Sequence, residues 1–561
     1  MIVKMRHFDL VCVAAQREAT IERLRQLGIV HLDLTSASGE AVAEAKGAVA
    51  DAERAIRLIR KARAKGEEPG NREHTVEEVL AIDRHREGLK AECERLEREI
   101  RAYEPYGDFD PDLARHLISK GVDIHALGGE TPLFPAKLPA VRLSVMQEKR
   151  TRLVNGIAID DAKLADCDES FILKSFPALR DRIAFCEAKE LLQNHGAVSV
   201  LSGWIPVTME SALMDEVTQA RADLFERTKS LGWGVLLRDA EDGETPPTLI
   251  EPPKAFRPMK ALFEGLGISP AYTEADVSVP FMCYFSLFFA MLVGDGAYGA
   301  IFLAGTLAMK RKLPKSWFVL LTVFSSATVL WGVLSNTWFG AQLPFLKALP
   351  TAAWLADPSY HNMMLLCFTI GVSHLMLARV WNGICKLNDS TCVAEFGWAG
   401  ILLFMYLVTN SIVGIFAGVP DWGFYVLGVS LVAVFGFSVK PSELKTRGAE
   451  LGMLPLSIMS ALGDIISYVR LFAVGLASVK VAENFNAMAT GLVSSEQAWW
   501  MNALYSVAMV LILVIGHALN LAMAGLSILV HAVRLNTLEF SNHKGVSWSG
   551  YAFRAFARHR K

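Results

Sequence analysis

The sequence contains none of the short motifs by which enzymes bind nucleotides or activate a hydrolytic nucleophile. No Gly-Lys dipeptide occurs anywhere in the 561 residues, which excludes a G-x-x-x-x-G-K-[ST] phosphate loop. Neither H-E-x-x-H nor G-x-S-x-G is present. We therefore expect a non-catalytic protein that does not itself hydrolyse ATP, and we predict neither a cofactor nor a metal site.

Paired cysteines, a secretory signal and a basic stripe are also absent. The eight cysteines are scattered, with no two at a C-x-x-C spacing, which argues against zinc ribbons and disulfide frameworks. The first twenty residues have no long apolar core and no small-residue cleavage site, so they do not resemble a signal peptide. No stripe of Lys and Arg indicates nucleic-acid binding. These absences favour a first half that stays in the cytosol.

Long apolar runs are missing from the first half of the chain and frequent in the second. Up to about residue 276 the sequence is rich in charge, whereas uncharged blocks of about 20 residues recur from 277 onward, which is the length that a helix needs to cross a bilayer. We predict a mainly α-helical protein, with a cytosolic α+β domain over 1–276 and a polytopic α-helical membrane domain over 277–561. A Pro-rich linker over 246–276 separates them.

The cytosolic domain is predicted to contain a long helical hairpin and a compact lobe. Residues 40–104 are dominated by Ala, Glu, Arg and Lys and are interrupted only at 65–71, which predicts a solvated helix pair suited to be a strut. Residues 105–245 mix strand-like and helical runs and predict an α+β lobe. The elements predicted outside the hairpin are strands at 29–34, 141–145 and 198–205 and helices at 21–27 (ended by Gly28), 184–193 and 207–230.

Eight apolar segments predict eight membrane spans. They run roughly over 279–294, 296–309, 316–339, 360–382, 394–417, 422–438, 451–488 and 498–538. Only Gly294-Asp295-Gly296 separates the first two, so one interrupted helix is an alternative. The last two would be about 60 Å long at 1.5 Å per residue, about twice the hydrocarbon thickness, so they should tilt steeply or protrude.

Lysines and arginines are concentrated in the loops of one side. With the N-terminus in the cytosol, the outer segments carry Lys347 and little else that is basic, as the positive-inside rule requires. Both termini are therefore predicted to be cytosolic. The basic residues of the inner segments are Lys310, Arg311, Lys312, Lys315, Arg379, Lys386, Lys440, Lys445, Arg447, Lys544, Arg554, Arg558, Arg560 and Lys561.

Two arginines lie inside the last two predicted spans. Arg470 is near the middle of the seventh and Arg534 is late in the eighth. A guanidinium at bilayer depth costs about 2.5 to 17 kcal/mol, depending on the method, so each should face a cavity or a partner. Arg470 could instead pair with Asp464 or Glu483, although both acids lie on other helical faces, and Arg534 could snorkel. No nearby acid is expected to pair with either arginine.

Polar side chains share a helical face with Arg534. At 100° per residue, they form a lane that can hold water. The lane consists of Asn520, Ser527 and His531, with His517 at its edge.

Three alternatives to a functional role of these polar residues remain open here. His517 and His531 could be ordinary interhelical hydrogen-bonding residues, Ser527 could bond back to its own helix, and Lys480 and Glu483 could form an internal pair.

Motifs around these residues resemble subunit a, also called subunit I, of the V/A-type rotary ATPases. The family's S-Y-x-R-L motif, with an Asp six residues before its Arg, is matched by Asp464, Ser467, Tyr468, Arg470 and Leu471. Its H-x-x-R-L…E-F pattern is matched by His531, Arg534, Leu535, Glu539 and Phe540. Its F-F-G-x-M-x-G-D-x-G-Y-G hairpin is similar to residues 288–299, which contain Gly294, Asp295, Tyr298 and Gly299 but have Ala290 and Ala297 in place of two motif glycines.

The resemblance implies an ion-translocating stator subunit, with the proton as the expected ion, in a prokaryotic plasma membrane. Arg470, assisted by Arg534, would keep the carboxylate of a passing rotor subunit ionised between two half-channels. The candidate half-channel residues are Asp464, Ser467, His517, Asn520, Ser527, His531 and Glu539.

The implied partners are a proteolipid rotor ring (subunit c/K), peripheral-stalk subunits of the E/G type on the cytosolic domain, a central-stalk subunit of the d/C type, the lipid bilayer and, indirectly, the ATP-hydrolysing head. The rival interpretation is a secondary transporter with a large cytosolic domain, which should show two related halves; none is detected. A purely structural scaffold leaves Arg470 unexplained.

Overall fold

The structure is a computed structural model of the 561-residue chain. It describes all residues except 34–37, 64–69, 123, 125–133, 136, 226–231, 242, 347–349, 356, 440–443, 492–498 and 559–561. The side chains of 219–225, 345, 352, 444–450, 499–500 and 502–503 are also outside the description. The basic side chains predicted at Lys347, Lys440, Lys445, Arg447, Arg560 and Lys561 lie outside the described residues, as do parts of the predicted elements at 29–34 and 207–230.

The chain divides into two compact units. We call the first, Arg6–Asp239 with Arg554–Lys561, the sheet unit, and the second, Met1–Met5 with Ala240–Phe553, the membrane unit. Residues 246–276, predicted as a linker, are part of the membrane unit.

The sheet unit contains a four-stranded sheet in the order β2-β3-β1-β4 and seven helices among its described residues. The antiparallel pairs β1–β4 and β2–β3 form its two edges. Its elements are β1 (Met5–Val13), α1 (Arg17–Leu27), α2 (Glu40–Ala62), α3 (Val76–Tyr103), α4 (Pro111–Ser119), α5 (Leu143–Ala165), α6 (Glu169–Leu191), β2 (Gln193–His195), β3 (Val198–Pro206), α7 (Glu210–Phe225) and β4 (Gly234–Asp239).

Local sequence explains several of these elements. Gly28 adopts a left-handed conformation (φ 62°) and ends α1, as predicted. Thr75 begins α3 with a capping box, since its side chain accepts from the N–H of Glu78 and Glu78 returns a bond to the N–H of Thr75. The strand predicted at 198–205 is confirmed as β3.

Two predicted strands are wrong. Of the described residues in 29–34, only His31 pairs, in a single bridge to Trp204. Residues 143–145 begin α5, because the buried positions Leu143, Met146 and Leu153 follow a helical spacing that five residues alone could not reveal.

The helices α2 and α3 confirm the predicted hairpin helices, but they are not a solvated pair. α2 packs against α6, and α3 packs against α5. Ala52, Ile56 and Ile59 of α2 are buried in one apolar cluster with residues of α5 and α6, and Leu96 and Ile100 of α3 are buried in another. The helices α5 and α6, which lie within the predicted lobe at 105–245, therefore pack against the two hairpin helices and bury their apolar sides.

The membrane unit is built from helices around one large apolar core. Its helices are α8 (Met259–Leu266), α9 (Ser278–Val293), α10 (Gly296–Ala308), α11 (Lys315–Ser335), α12 (Pro350–Leu355), α13 (His361–Cys385), α14 (Cys392–Ile412), α15 (Asp421–Phe437), α16 (Leu444–Ile466), α17 (Val469–Thr490), α18 (Trp499–Ser527), which continues through π-helical turns at Ile528–Ala532 and Leu535–Phe540, and α19 (Ser541–Lys544).

Five helical stretches within the described residues are long and apolar enough to cross a membrane. They are Lys315–Ser335, His361–Cys385, Cys392–Ile412, Leu451–Thr490 and Leu504–Lys544, the last two with 40 and 41 residues. The predicted length of these two is confirmed.

The predicted count of eight spans is not confirmed. α9 and α10 are bent by 119° at their break and would count as at most one further span. α15 has 17 residues and is an apolar helix of shorter length. Each of the eight predicted segments overlaps a helix of the structure. The hydropathy of a segment does not reveal whether its helix crosses the membrane or turns back.

Candidate functional site

The two arginines approach the same buried carboxylate. Nη1 of Arg470 lies 3.9 Å from Oε1 of Glu539, and Nε of Arg534 lies 3.5 Å from that oxygen. The Glu539 side chain is only 6% exposed, whereas that of Arg470 is 22% and that of Arg534 is 54% exposed. The expectation that no acid pairs with either arginine is therefore wrong.

A change in helix type accounts for this pairing. Arg534 and Glu539 are five residues apart, which at 100° per residue leaves them about 140° apart around an α-helix. Here Ile528–Ala532 and Leu535–Phe540 are π-helical turns. Bonds from residue i to i+5 bring residues five apart to nearly the same face. A search for α-helical periodicity could not have found the contact.

The alternative pairs of Arg470 bind elsewhere. Glu483 accepts from Nζ of Lys480 at 2.7 Å, which confirms the predicted internal pair. Asp464 lies 3.0 Å from Nε2 of His543.

Ser467 and Tyr468 form a turn between α16 and α17, directly before Arg470. The Ser467 hydroxyl donates to the carbonyl of Asp464 at 2.6 Å. The fully buried Tyr468 places its hydroxyl 2.8 Å from Nδ1 of His374 on α13 and packs its ring where a Cβ on Gly371 would stand 2.6 Å away. These contacts fix the position from which Arg470 projects.

A chain of charged side chains continues from Asp464. Nε of Arg379 donates to Nδ1 of His543 at 3.1 Å, so Nε2 of His543 carries the proton and donates to Asp464. Arg379 also donates to Glu395 at 3.1 Å, and Lys386 donates to the same carboxylate at 2.6 Å. The sequence analysis counts Arg379 and Lys386 only among the basic residues of the inner segments. It misses His543 and Glu395, although an acid in the first turn of an apolar helix was a signal for Glu395.

A second polar network joins α10, α17 and α18. The Tyr298 hydroxyl lies 2.7 Å from Nδ1 of His517 and accepts from Nδ2 of Asn520 at 3.1 Å. Nε2 of His517 lies 3.2 Å from Oδ1 of Asn486, and Asn520 bonds to the carbonyl and hydroxyl of Ser478 at 2.8 and 3.2 Å. His517 is thus an interhelical hydrogen-bonding residue.

The remaining lane residues have fewer contacts. Nδ1 of His531 is buried without a hydrogen-bond partner among the described residues. Ser527 precedes the first π-helical turn.

The Gly-Asp motif closes the bent pair α9–α10. Asp295 is fully buried, and its carboxylate accepts from the N–H groups of Ala297 at 2.8 Å and Gly340 at 2.9 Å, which caps α10 and holds the following loop. Gly294 is left-handed (φ 70°), and a Cβ on Gly299 would stand 2.8 Å from the backbone of α11. The motif residues are structural here, except that Tyr298 also enters the second network.

An exposed apolar face runs along the last long helix. Twelve large apolar residues of α18 and its continuation are exposed, and they lie on the helix that carries Arg534. They are Leu504, Val507, Val510, Leu511, Val514, Ile515, Leu519, Met523, Leu526, Leu529, Val530 and Leu538. Of the residues that the structure describes, no group of three or more His, Cys, Asp or Glu could hold a metal ion.

Comparison with known proteins finds relatives that align with more than half of the chain, and one of them aligns with nearly all of it. It is 32% identical to the V-type ATP synthase subunit I of Borreliella burgdorferi over 65% of this chain and 60% of that protein. It is 26% identical to the V-type ATP synthase subunit I 1 of Treponema pallidum, over 99% of this chain and 100% of that protein. It is 24% identical to the A-type ATP synthase subunit I of Methanocaldococcus jannaschii over 61% of this chain and 52% of that protein.

The first of these alignments covers less than two thirds of the relative's length. No protein-family model matches the chain. The relatives are nevertheless named as subunit I, the subunit that the motifs around the two arginines resemble. The long apolar helices are those of an integral membrane protein. The chain is therefore a homologue of subunit I of the V-type and A-type ATP synthases.

Proposed function

We propose that this chain is the ion-translocating stator subunit of a V/A-type rotary ATPase. The observation that carries the proposal is the pair of guanidinium groups, Arg470 and Arg534, beside an exposed apolar face of the last long helix. A cation on an apolar helix surface needs an anionic partner in the membrane. A carboxylate on a rotor helix is the partner that the motifs of the family imply.

The arginines would control the protonation of that carboxylate. A carboxyl group in lipid keeps its proton because burial disfavours the charged form, whereas a nearby guanidinium favours the ionised form. Arginine suits this role because it does not give up its own proton. A rotor carboxylate that reaches Arg470 releases its proton, and it can leave for the lipid only after it takes up another.

The two polar networks would form the two half-channels. Along the α16–α17 helix, Asp464 precedes Arg470, whereas Ser478 and Asn486 follow it. The first network contains Arg379 and joins Lys386 through Glu395, and both are basic residues of the predicted inner segments. It would therefore serve the cytosolic side, and the network of His517 and Asn520 would serve the other side. Arg470 lies between them and blocks direct passage, while Ser467, Ser527 and His531 line the approach to it.

The sheet unit would attach the stator. Its paired helices, α2 with α6 and α3 with α5, form long rigid elements that suit binding of peripheral-stalk subunits and resistance to torque from the ATP-hydrolysing head. The rotor ring and a central-stalk subunit complete the set of partners. Both termini would lie in the cytosol of a prokaryotic cell.

The test is Arg470→Ala in the assembled complex, reconstituted in proteoliposomes. ATP-driven ion pumping should be lost while the complex still assembles, and Arg470→Lys should also fail because an amine can lose its proton. Arg311→Ala, an exposed residue between α10 and α11, is the matched control. Pumping with normal coupling in Arg470→Ala would refute the mechanism, and solute transport by the purified chain alone would favour a secondary transporter. Pumping with and without sodium identifies the ion.

A further inference from the structure

Three charged groups from two helices meet beside the apolar face. Arg470 comes from α17, and Arg534 and Glu539 come from the π-helical continuation of α18. Their formal charges sum to one positive charge, two from the guanidinium groups and minus one from the carboxylate. The buried acid therefore neutralises one of the two arginines within this chain.

The contacts with Glu539 are longer than ordinary hydrogen bonds. They measure 3.5 and 3.9 Å, whereas Lys386 and Arg379 bind Glu395 at 2.6 and 3.1 Å. Nη1 of Arg470 and Oε2 of Glu539 are both buried without a hydrogen-bond partner among the described residues. A buried unpaired donor is costly and calls for an acceptor. Arg470 is held close to Glu539 but keeps a donor for another group.

Two helical distortions are needed for this arrangement. Without the π-helical turns, Glu539 would point away from Arg534. Other titratable groups lie around this group of charges: Asp464, the buried hydroxyl of Tyr468, and His531. Asp464 binds His543. None of these replaces Glu539 as the anion between the two arginines.

We infer that Glu539 is a positioning residue that holds Arg470 and Arg534 together and leaves the site with a single net positive charge, matched to one partner carboxylate. This inference rests on the proposed function. One rotor carboxylate then brings the site to neutrality. If Glu539 were neutral, two positive charges would face one carboxylate, its ionised form would be favoured too strongly, and it could take up a proton only at lower pH.

The experiment measures ATP-driven pumping against pH in proteoliposomes for the whole complex with Glu539→Gln, Glu539→Asp or Glu483→Gln. In Glu539→Gln we expect slower pumping at neutral pH and a shift of the pH optimum toward acid by about 1 to 3 units, the range of shifts produced by a neighbouring charge. Glu539→Asp keeps the charge and should keep the native optimum at a reduced rate. Glu483→Gln is the matched control, since Glu483 is an acid on α17 that pairs with Lys480.

The inference on Glu539 is wrong if Glu539→Gln moves the optimum no further than Glu483→Gln, or if Glu539→Asp moves it as far as Glu539→Gln. If the complex with Glu539→Gln does not assemble, the complex with Glu539→Asp decides. Assembly of that complex with the native pH optimum supports a role of the charge. Failure of both variants to assemble overturns the inference. Arg470→Ala is measured in parallel. Pumping in that variant refutes the proposed function, whereas its loss together with an unmoved optimum in Glu539→Gln refutes only the role of Glu539.

Discussion

The hydroxyl of Tyr298 and the imidazole of His517 join the bent helix pair to the last long helix. They lie 2.7 Å apart, Oη to Nδ1, although 219 residues separate them in the chain. Because Asn520 donates to the same hydroxyl, Tyr298 donates its proton to His517, and Nε2 of His517 is left to donate to Asn486. The network thus has one consistent direction of hydrogen bonding.

Tyr298→Phe should destabilise the membrane unit. It removes one hydroxyl, so that Nδ1 of His517 loses its hydrogen bond and the buried Asn520 loses one of its three. An unsatisfied buried group costs about 1 to 3 kcal/mol. The measurement is thermal unfolding of the purified chain in detergent. Tyr425→Phe, at a tyrosine of α15 that is 76% exposed, is the control and should not change the melting temperature. Equal melting temperatures for both variants would contradict the network.

Gly371→Ala should disturb the site through Tyr468. The added Cβ would stand 2.6 Å from the ring of Tyr468, which is fully buried and cannot move aside without breaking its bond to His374. Overpacking of this kind costs about 1 to 3 kcal/mol. Thermal unfolding again measures the loss. Gly428→Ala places its Cβ in open space and is the matched control, for which no destabilisation is expected.

Arg86→Ala should loosen the helices of the sheet unit. Arg86 is 8% exposed and binds Asp83 at 2.7 Å and Asp161 at 2.9 Å. Its removal leaves the buried Asp83 with Arg54 alone, and breaking a buried pair costs about 3 to 5 kcal/mol. Hydrogen exchange of the full-length protein should show faster exchange in α3 and α5. Arg57→Ala, at a side chain that is 69% exposed, should change exchange little.

The sheet unit should lose stability in mild acid because of His31. Burial lowers the pKa of His31 below its usual value of 6.5, despite the opposing bond to the backbone of Arg554. A lowered pKa means that the folded state disfavours protonation. The stabilisation is therefore complete above about pH 6.5 and is lost as the pH falls from there through the folded pKa.

This loss can be assigned to one residue by hydrogen exchange in β1 and β3 at pH 7 and pH 5.5, corrected for intrinsic rates. The native chain should lose protection at the lower pH. His31→Gln should remove part of that dependence, and His195→Gln, at an exposed position of β2, should leave it unchanged. An identical pH dependence in the native chain and His31→Gln would contradict the assignment.

The sequence predicts the membrane helices well because apolar composition alone specifies them. The blocks at 316–339 and 360–382 correspond to α11 and α13, and Gly28 ends α1 where the αL conformation requires a glycine. Hydropathy does not show where an apolar helix bends or whether it crosses the membrane. The bent pair α9–α10 has the same apolar composition as a straight membrane helix. The sequence therefore could not establish a count of eight spans.

The contact of Glu539 with the arginines could not be predicted for a different reason. An α-helical projection assumes 100° per residue, and the π-helical turns near Arg534 break that assumption. His543 was missed because it follows the apolar block and looks like part of a tail. Its bond to Asp464 depends on tertiary packing, which spacing within one helix does not contain.

The division of the chain into its two units gives them three covalent connections. The backbone passes from one unit to the other after Met5, after Asp239 and after Phe553. The two units are therefore joined by three peptide segments rather than by a single linker, and cutting the chain at one of these places leaves two connections intact. A gene fragment that ends at residue 239 would also lack Phe556, whose N–H binds the carbonyl of Val30 and whose ring completes the core of the sheet unit.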